Sequence, residues 1–244
     1  TRVRSSAASD VYKRQEGVLV AESIVSDDDL APMIAEYEAW IDDRARELQQ
    51  EGKIQDLAEA ADFAHRFARL YAQSPEIGAG MDVMQMRGPA TFAFMRNANL
   101  LDAVECLVGP EITCSPIQHI RAKPPAAVSG EGTGFYNVPW HQDMAVTWKE
   151  ADASEIVTCW VALVDATKEN GCMEVLPGVS KGGYLEHQGS AGGPQVKPEA
   201  LPANVAPRPV PVRKGGVIFM HRCTPHRSTP NRSDGVRWSL DLRY

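Results

Sequence analysis

The run Ile156-Val157-Thr158-Cys159-Trp160-Val161-Ala162-Leu163-Val164 constrains the fold more than any other stretch: nine residues with no formal charge, rich in β-branched side chains. In an extended chain alternate side chains point to opposite faces. A run that is apolar on both faces predicts a central strand covered by a layer on each side. Shorter segments of the same kind lie around it. Residues 112–123 read as a strand ending at Pro124-Pro125, and 208–212, 217–221 and 237–244 as three more. Asn170-Gly171 predicts a type I′ turn from which 172–176 returns as the second arm of a hairpin. Residues 178–207 carry glycines and prolines without periodicity and read as one long functional loop.

The first half has a different texture. Ser26 or Asp27 can cap a helix in which Leu30, Ile34, Tyr37, Ile41 and Leu48 form one apolar stripe. A second helix is predicted over 55–72, and one or two shorter ones over 89–107, stopped by Gly109-Pro110. Helices followed by many short strands predict an α+β, mainly β architecture, a jelly roll with the helices packed outside. The expected layout is a helical layer over about 26–108 and a strand core over about 111–244, in one domain from residue 16. Residues 1–15 are polar, Ser/Arg-rich and begin without Met, so they are expected to be a non-native leader. The other end stops at Tyr244 in mid-strand, so truncation is expected there.

Charge and cysteine usage narrow the partners. A net charge of −7 argues against a nucleic-acid surface, which needs clustered Lys and Arg to displace counterions. No apolar run approaches the length of a membrane span. Five cysteines with no C-x-x-C pair indicate neither a disulfide framework nor a structural zinc site, and fit a reducing, cytoplasmic setting. A small molecule is the expected partner; oligomeric state is not legible.

The chemistry starts at Val138-Pro139-Trp140-His141-Gln142-Asp143-Met144. On a strand His141 and Asp143 would share a side, giving half of a 2-His-1-carboxylate metal site. Alone this is weak, since His-x-Asp arises by chance roughly 0.4 times in a chain of this make-up, and a hydrogen-bonded strand-edge histidine is the plain alternative. Two histidines compete to complete the triad: His221, which ends an apolar strand, and His226, which begins a new extended stretch. Eleven residues after His226 comes Arg237, which shares a strand face with Ser239 and Asp241, opposite Trp238, Leu240 and Leu242. A guanidinium inside a barrel needs an anion. A dicarboxylate would serve, with Ser239 adding a hydroxyl; so would an ion pair with Asp143 or Asp241.

His141-x-Asp143, the segment Asn170-Gly171-Cys172-Met173-Glu174-Val175-Leu176-Pro177-Gly178, and His226-x-Ser228-x-Pro230-Asn231-x-Ser233 with Arg237 together resemble the phytanoyl-CoA dioxygenase family of Fe(II)/2-oxoglutarate oxygenases. The resemblance runs from about residue 100 to the end and implies a double-stranded β-helix. It implies that His141, Asp143 and His226 hold iron and that Arg237 clamps the far carboxylate of 2-oxoglutarate. Ser228, Ser239 and Trp160 would line that pocket, with Gln118 or His119 near the metal end. The implied reaction consumes 2-oxoglutarate and O2, releases succinate and CO2, and hydroxylates a small molecule; Asp143 argues against the halogenating relatives. Tyr136, Trp148 and Tyr184 are the expected substrate walls, near 126–139 and 182–207. Two departures stand out: Val179-Ser180-Lys181 replaces a common Ser-His-Lys, and an upstream lysine used by some members has no evident counterpart. The negative net charge gives no sign of a basic pocket for a coenzyme A thioester. The competing reading is a non-redox jelly-roll protein that binds a ligand or a metal for hydrolysis or isomerisation.

Overall fold

The computed structural model describes residues 11–244 apart from Met84, Arg87 and Asp152. Its centre is an antiparallel sheet in the order β1-β8-β3-β10-β2, made of β1 (Val18–Ala21), β2 (His119–Lys123), β3 (Val157–Ala162), β8 (Val217–His221) and β10 (Arg237–Arg243). The charge-free run becomes β3, buried at every residue, with a strand on each side. A smaller antiparallel sheet, β7-β4-β9, combines β4 (Met173–Val175), β7 (Arg208–Val210) and β9 (His226–Ser228). The two sheets face each other across a shared apolar cluster that includes Trp160, Met173, Val175, Val210, Ile218 and Met220. Pairing among the described residues does not close them into a barrel. The result is the layered jelly roll that the pattern predicts.

Period-two alternation decides which side chain goes where. On β3, Val157, Cys159 and Val161 join the helical layer's core, whereas Trp160 and Ala162 join the core between the sheets. On β8, Val217 and Phe219 face the helices; Ile218 and Met220 face the small sheet. The helices that cover the outer face are α1 (Asp27–Gln50), α2 (Phe63–Gln73), α3 (Pro89–Phe94) and α4 (Ala98–Val108). Ser26 and Asp29 cap α1 reciprocally, Ser26 Oγ accepting from the Asp29 amide at 3.2 Å and Asp29 Oδ2 from the Ser26 amide at 2.8 Å. Its buried stripe is Leu30, Met33, Tyr37, Ile41, Ala45 and Leu48, with Met33 taking the place expected for Ile34. None of the helices is long and apolar enough to cross a membrane, among the described residues.

Four expectations are corrected. The helix predicted over 55–72 begins only at Phe63, because Asp62 caps it and Gln73 holds the preceding stretch by accepting from the amides of Gln55 and Asp56. The strand predicted over 112–123 is confined to β2. The hairpin at Asn170-Gly171 does not form: β3 and β4 belong to different sheets. Asn170 lacks the positive φ that a type I′ turn requires, and its side chain instead accepts from the Thr167 amide and donates to the Asp165 carbonyl. Gly171 does sit at φ +83, where a Cβ would lie 2.4 Å from the Thr229 carbonyl oxygen. Within 178–207 the chain forms a hairpin of β5 (His187–Ser190) and β6 (Gly193–Val196), rather than one loop. Of the stretch expected to be a leader, residues 1–10 lie outside the described residues; Val11–Glu16 is helical, with Tyr12 buried in the core.

Candidate metal and dicarboxylate site

The metal motif is not a strand. His141 makes a single bridge to His226, exchanging backbone hydrogen bonds of 3.0 and 2.9 Å, and the chain then turns into a 3-10 turn, Asp143–Val146. Strand alternation is therefore not what brings His141 and Asp143 together. The turn swings the Asp143 carboxylate back, so that one ligand atom from each of His141, Asp143 and His226 lies within 4.8 Å of the others. The two imidazole centroids are 4.1 Å apart. His221, the rival for the third place, lies outside this group; its Nδ1 accepts from the Cys223 amide.

Local contacts set the donors' chemistry. His141 Nδ1 donates to the Pro139 carbonyl and His226 Nδ1 to the Thr224 carbonyl, each at 2.9 Å, which leaves both Nε2 atoms as lone-pair donors. Burial, aided by the neighbouring His226, pushes the His141 pKa down to about 3, so the ring is neutral. Burial works to raise Asp143, but the Arg243 guanidinium, by its charge and its hydrogen bond, outweighs it and holds the carboxyl well below the usual range. Arg243 Nη2 lies 2.6 Å from Asp143 Oδ1, and Thr158 Oγ1 donates to Oδ2. Two imidazoles turned with Nε2 toward a common point and an ionised carboxylate, converging and buried, are the donor set a divalent first-row ion takes.

A cavity between the sheets opens from this group, walled by residues that include Lys123, Tyr136, Trp160, Ser228, Arg237 and Arg243. Arg237 is 2% exposed and has no carboxylate partner among the described residues. Its guanidinium lies 4.9 Å from the Trp160 ring centre, Nη1 donates to Ser239 Oγ at 2.6 Å, and Nε has no partner among the described residues. Burial draws its pKa down to about 10, still a cation at neutrality. The ion pairs considered for it go elsewhere, Asp143 to Arg243 and Asp241 to Arg121. Lys123 reaches the same wall, Nζ donating to the Tyr136 carbonyl at 2.7 Å and to Ser228 Oγ at 3.0 Å. Burial, with Arg237 nearby, pushes its pKa down to about 6.

Other sequence-selected residues are not at the cavity. Gln118 is buried, but its amide splints backbone, donating to the Ser115 and Arg243 carbonyls and accepting from the Arg243 amide. His119 Nδ1 pairs with Asp82 at 2.8 Å, and the residue is not among those that wall the cavity. Trp148 is 80% exposed, and Tyr184, half exposed, stacks on His187. Of the three expected substrate walls only Tyr136 lines the cavity. The sequence reading missed Lys123, Arg121, Arg243 and Thr158, although alternation carries their signal: 119, 121 and 123 share one face of β2, and 237 to 243 share one face of β10 in steps of two. It also found no basic pocket, because net charge averages over the whole surface.

Fold and site define a jelly roll with a buried two-histidine, one-carboxylate donor set on the wall of a basic cavity. A family model described as Phytanoyl-CoA dioxygenase (PhyH) matches residues 13–239, and the chain belongs to that family. Peroxisomal phytanoyl-CoA dioxygenase of Rattus norvegicus is 28% identical over 243 residues, covering 96% of this chain and 66% of that protein; its Bos taurus counterpart is 27% identical with the same coverage. The chain thus spans about two thirds of the length of these relatives. Among solved structures, the epimerase SnoN in complex with Fe3+, alpha ketoglutarate and nogalamycin RO has a TM-score of 0.60 at 20% identity, covering 96% of this chain and 80% of that one. EvdO2 from Micromonospora carbonacea var. aurantiaca complexed with 2-oxoglutarate has 0.60 at 21%, covering 98% and 89%. The carbocyclase SnoK has 0.62 at 21%, covering 100% and 85%. At these identities the likeness is one of fold.

Proposed function

We propose that this chain is an Fe(II)- and 2-oxoglutarate-dependent dioxygenase that hydroxylates a small organic molecule and releases succinate and CO2. One observation carries the reading: the donor set and an unpaired buried arginine open into the same cavity. His141, Asp143 and His226 would hold the metal. Arg237 would take the far carboxylate of the cosubstrate as a planar fork, flanked by Ser228, Ser239 and Trp160, with Lys123 as a second cation. When bound, iron supplies the dioxygen chemistry that couples decarboxylation of the 2-oxo acid to oxidation of a substrate carbon.

The chain's own residues supply position and dryness. The Pro139 and Thr224 carbonyls fix both imidazole tautomers, and Arg243 with Thr158 fixes the Asp143 carboxylate. Trp160, Met173 and Met220 line the cavity and limit water. Relatives named dioxygenases support hydroxylation as the outcome; the epimerase and carbocyclase among the structural neighbours mark the other outcomes to be tested.

Adding Fe(II) and 2-oxoglutarate without oxygen should give a weak visible metal-to-ligand absorption band, absent in His226→Ala. Iron that fails to bind, or a metal spectrum indifferent to the 2-oxo acid, would favour the non-redox alternative. With oxygen admitted, substrate-stimulated succinate and a product gaining one oxygen atom distinguish hydroxylation from epimerisation or ring closure.

A further inference from the structure

Resting on that functional reading, we propose that the substrate carries a single carboxylate on an apolar body, and that Arg121 is the specificity-determining residue that receives it. Arg121 lies on β2 opposite Ser239, one pleat repeat from the Lys123–Arg237 pair, and its side chain lines the cavity. Asp241 Oδ2 accepts from Nε at 3.1 Å. Among the described residues the terminal nitrogens have no hydrogen-bond partner. The guanidinium carbon sits 5.5 Å from the ring centre of Phe135, a half-exposed residue at the rim. One carboxylate and one aromatic face therefore hold the group from behind and leave its fork open to a ligand, the geometry that suits a planar carboxylate.

Charge counting favours one further negative group. The cavity wall carries three guanidinium groups, Arg121, Arg237 and Arg243, and the Lys123 amine, against two carboxylates, Asp241 and the Asp143 bonded to Arg243. A divalent ion and a dicarboxylate cosubstrate cancel each other's charge, so at least one positive charge is left over, whether or not Lys123 is protonated. In a poorly solvated space that surplus is unfavourable, and a monoanion removes it. The neighbouring wall is Phe135, Val138, Met173 and Met220, which suits an apolar body.

The test is calorimetric titration of the full chain, loaded anaerobically with Mn(II) and saturating 2-oxoglutarate, with two acid–amide pairs: phenylacetate against phenylacetamide, and hexanoate against hexanamide. Each acid is expected to bind at least tenfold more tightly than its amide. Arg121→Gln should erase that preference while leaving 2-oxoglutarate affinity unchanged and the chain folded; Arg121→Lys should keep part of it. No preference in the parent chain, or a preference that survives Arg121→Gln, overturns the inference and leaves the functional reading standing. Loss of 2-oxoglutarate affinity in Arg121→Gln also overturns it, assigning Arg121 to the cosubstrate. A parent chain that binds neither Mn(II) nor 2-oxoglutarate overturns the functional reading itself, and this inference with it.

Discussion

The two faces of β10 differ in kind, although the residues that make them alternate along seven positions. On the helix side Trp238, Leu240 and Leu242 are buried in the main core. The Trp238 ring stacks on Phe63 at 4.6 Å, meets Phe67 edge-on at 5.4 Å, and donates from Nε1 to the Phe63 carbonyl at 3.0 Å, so nothing on it is left unsatisfied. On the cavity side stand Arg237, Ser239, Asp241 and Arg243. Of the four buried side-chain polar atoms without a partner among the described residues, three are on this face: Arg237 Nε, Asp241 Oδ1 and Arg243 Nε. Buried polar atoms are ordinarily paired. One face thus completes its own contacts, and the other holds contacts open for something the chain does not contain.

The sharpest way to break this contrast is to exchange what each face should lose. Trp238→Ala removes the aromatic cluster that anchors α2 to the sheet and should lower unfolding free energy by about 3–5 kcal/mol, read by urea denaturation. A loss below about 1 kcal/mol would show that the helical layer does not depend on this face. Arg237→Met should do the reverse. It removes a buried cation paired with no carboxylate, so stability should hold or rise. Affinity for 2-oxoglutarate, measured by the anaerobic absorption titration, should fall by about 2–5 kcal/mol, the usual effect of deleting one partner of a buried charge pair. If Arg237→Met unfolds the chain while its cosubstrate affinity survives, Arg237 belongs with the structural face.

How much of this was legible follows the same division. Alternation along β10 placed Arg237 and Ser239 on one side and Trp238 on the other, because period two is a property of the backbone alone, whereas Trp160 was legible only through the family resemblance. The layered architecture was legible for the same reason. Contacts set by chain direction were not. His141 and Asp143 converge through a 3-10 turn that the sequence presented as strand, and Asn170-Gly171 leads from one sheet to the other because Asn170 bonds backbone instead of adopting a positive φ. Gln118 and His119 are consumed by the Arg243 backbone and by Asp82, partners distant in sequence. Lys123 was readable from its place on β2, but its depth depends on β9 supplying Ser228 and on the backbone of Tyr136, which no local pattern reveals.

Lys123 gives a smaller effect that refines the contrast. Its folded-state pKa of about 6 lies below the ordinary 10.5. Between those values the unfolded chain binds a proton that the folded chain refuses, so this group makes stability rise with pH from about 6 toward 10.5, by at most about 1.4 kcal/mol per pH unit. The slope should be shallower in Lys123→Met. Saturating 2-oxoglutarate should flatten it in the parent as well, because a carboxylate beside the ammonium favours the charged form. Proton uptake on 2-oxoglutarate binding at pH 8, seen as a dependence of the calorimetric heat on buffer ionisation enthalpy, would show the same linkage directly. Identical slopes in parent and Lys123→Met would mean that Lys123 is charged throughout.

The smallest effect expected is at Trp148, and it matters because size and aromaticity alone would rank it with Trp160 and Trp238. Those two are buried, one beneath Arg237 and one against Phe63. Trp148 is 80% exposed and lies outside the cavity. Surface substitutions away from special contacts usually fall within about 0.5 kcal/mol. Trp148→Ala should therefore leave both the denaturation midpoint and the metal-to-ligand band of the parent in place. A substrate whose KM rises in Trp148→Ala, with kcat and 2-oxoglutarate affinity unchanged, would overturn that expectation and extend the binding surface beyond the two faces of β10, to the segment that follows the Asp143 turn.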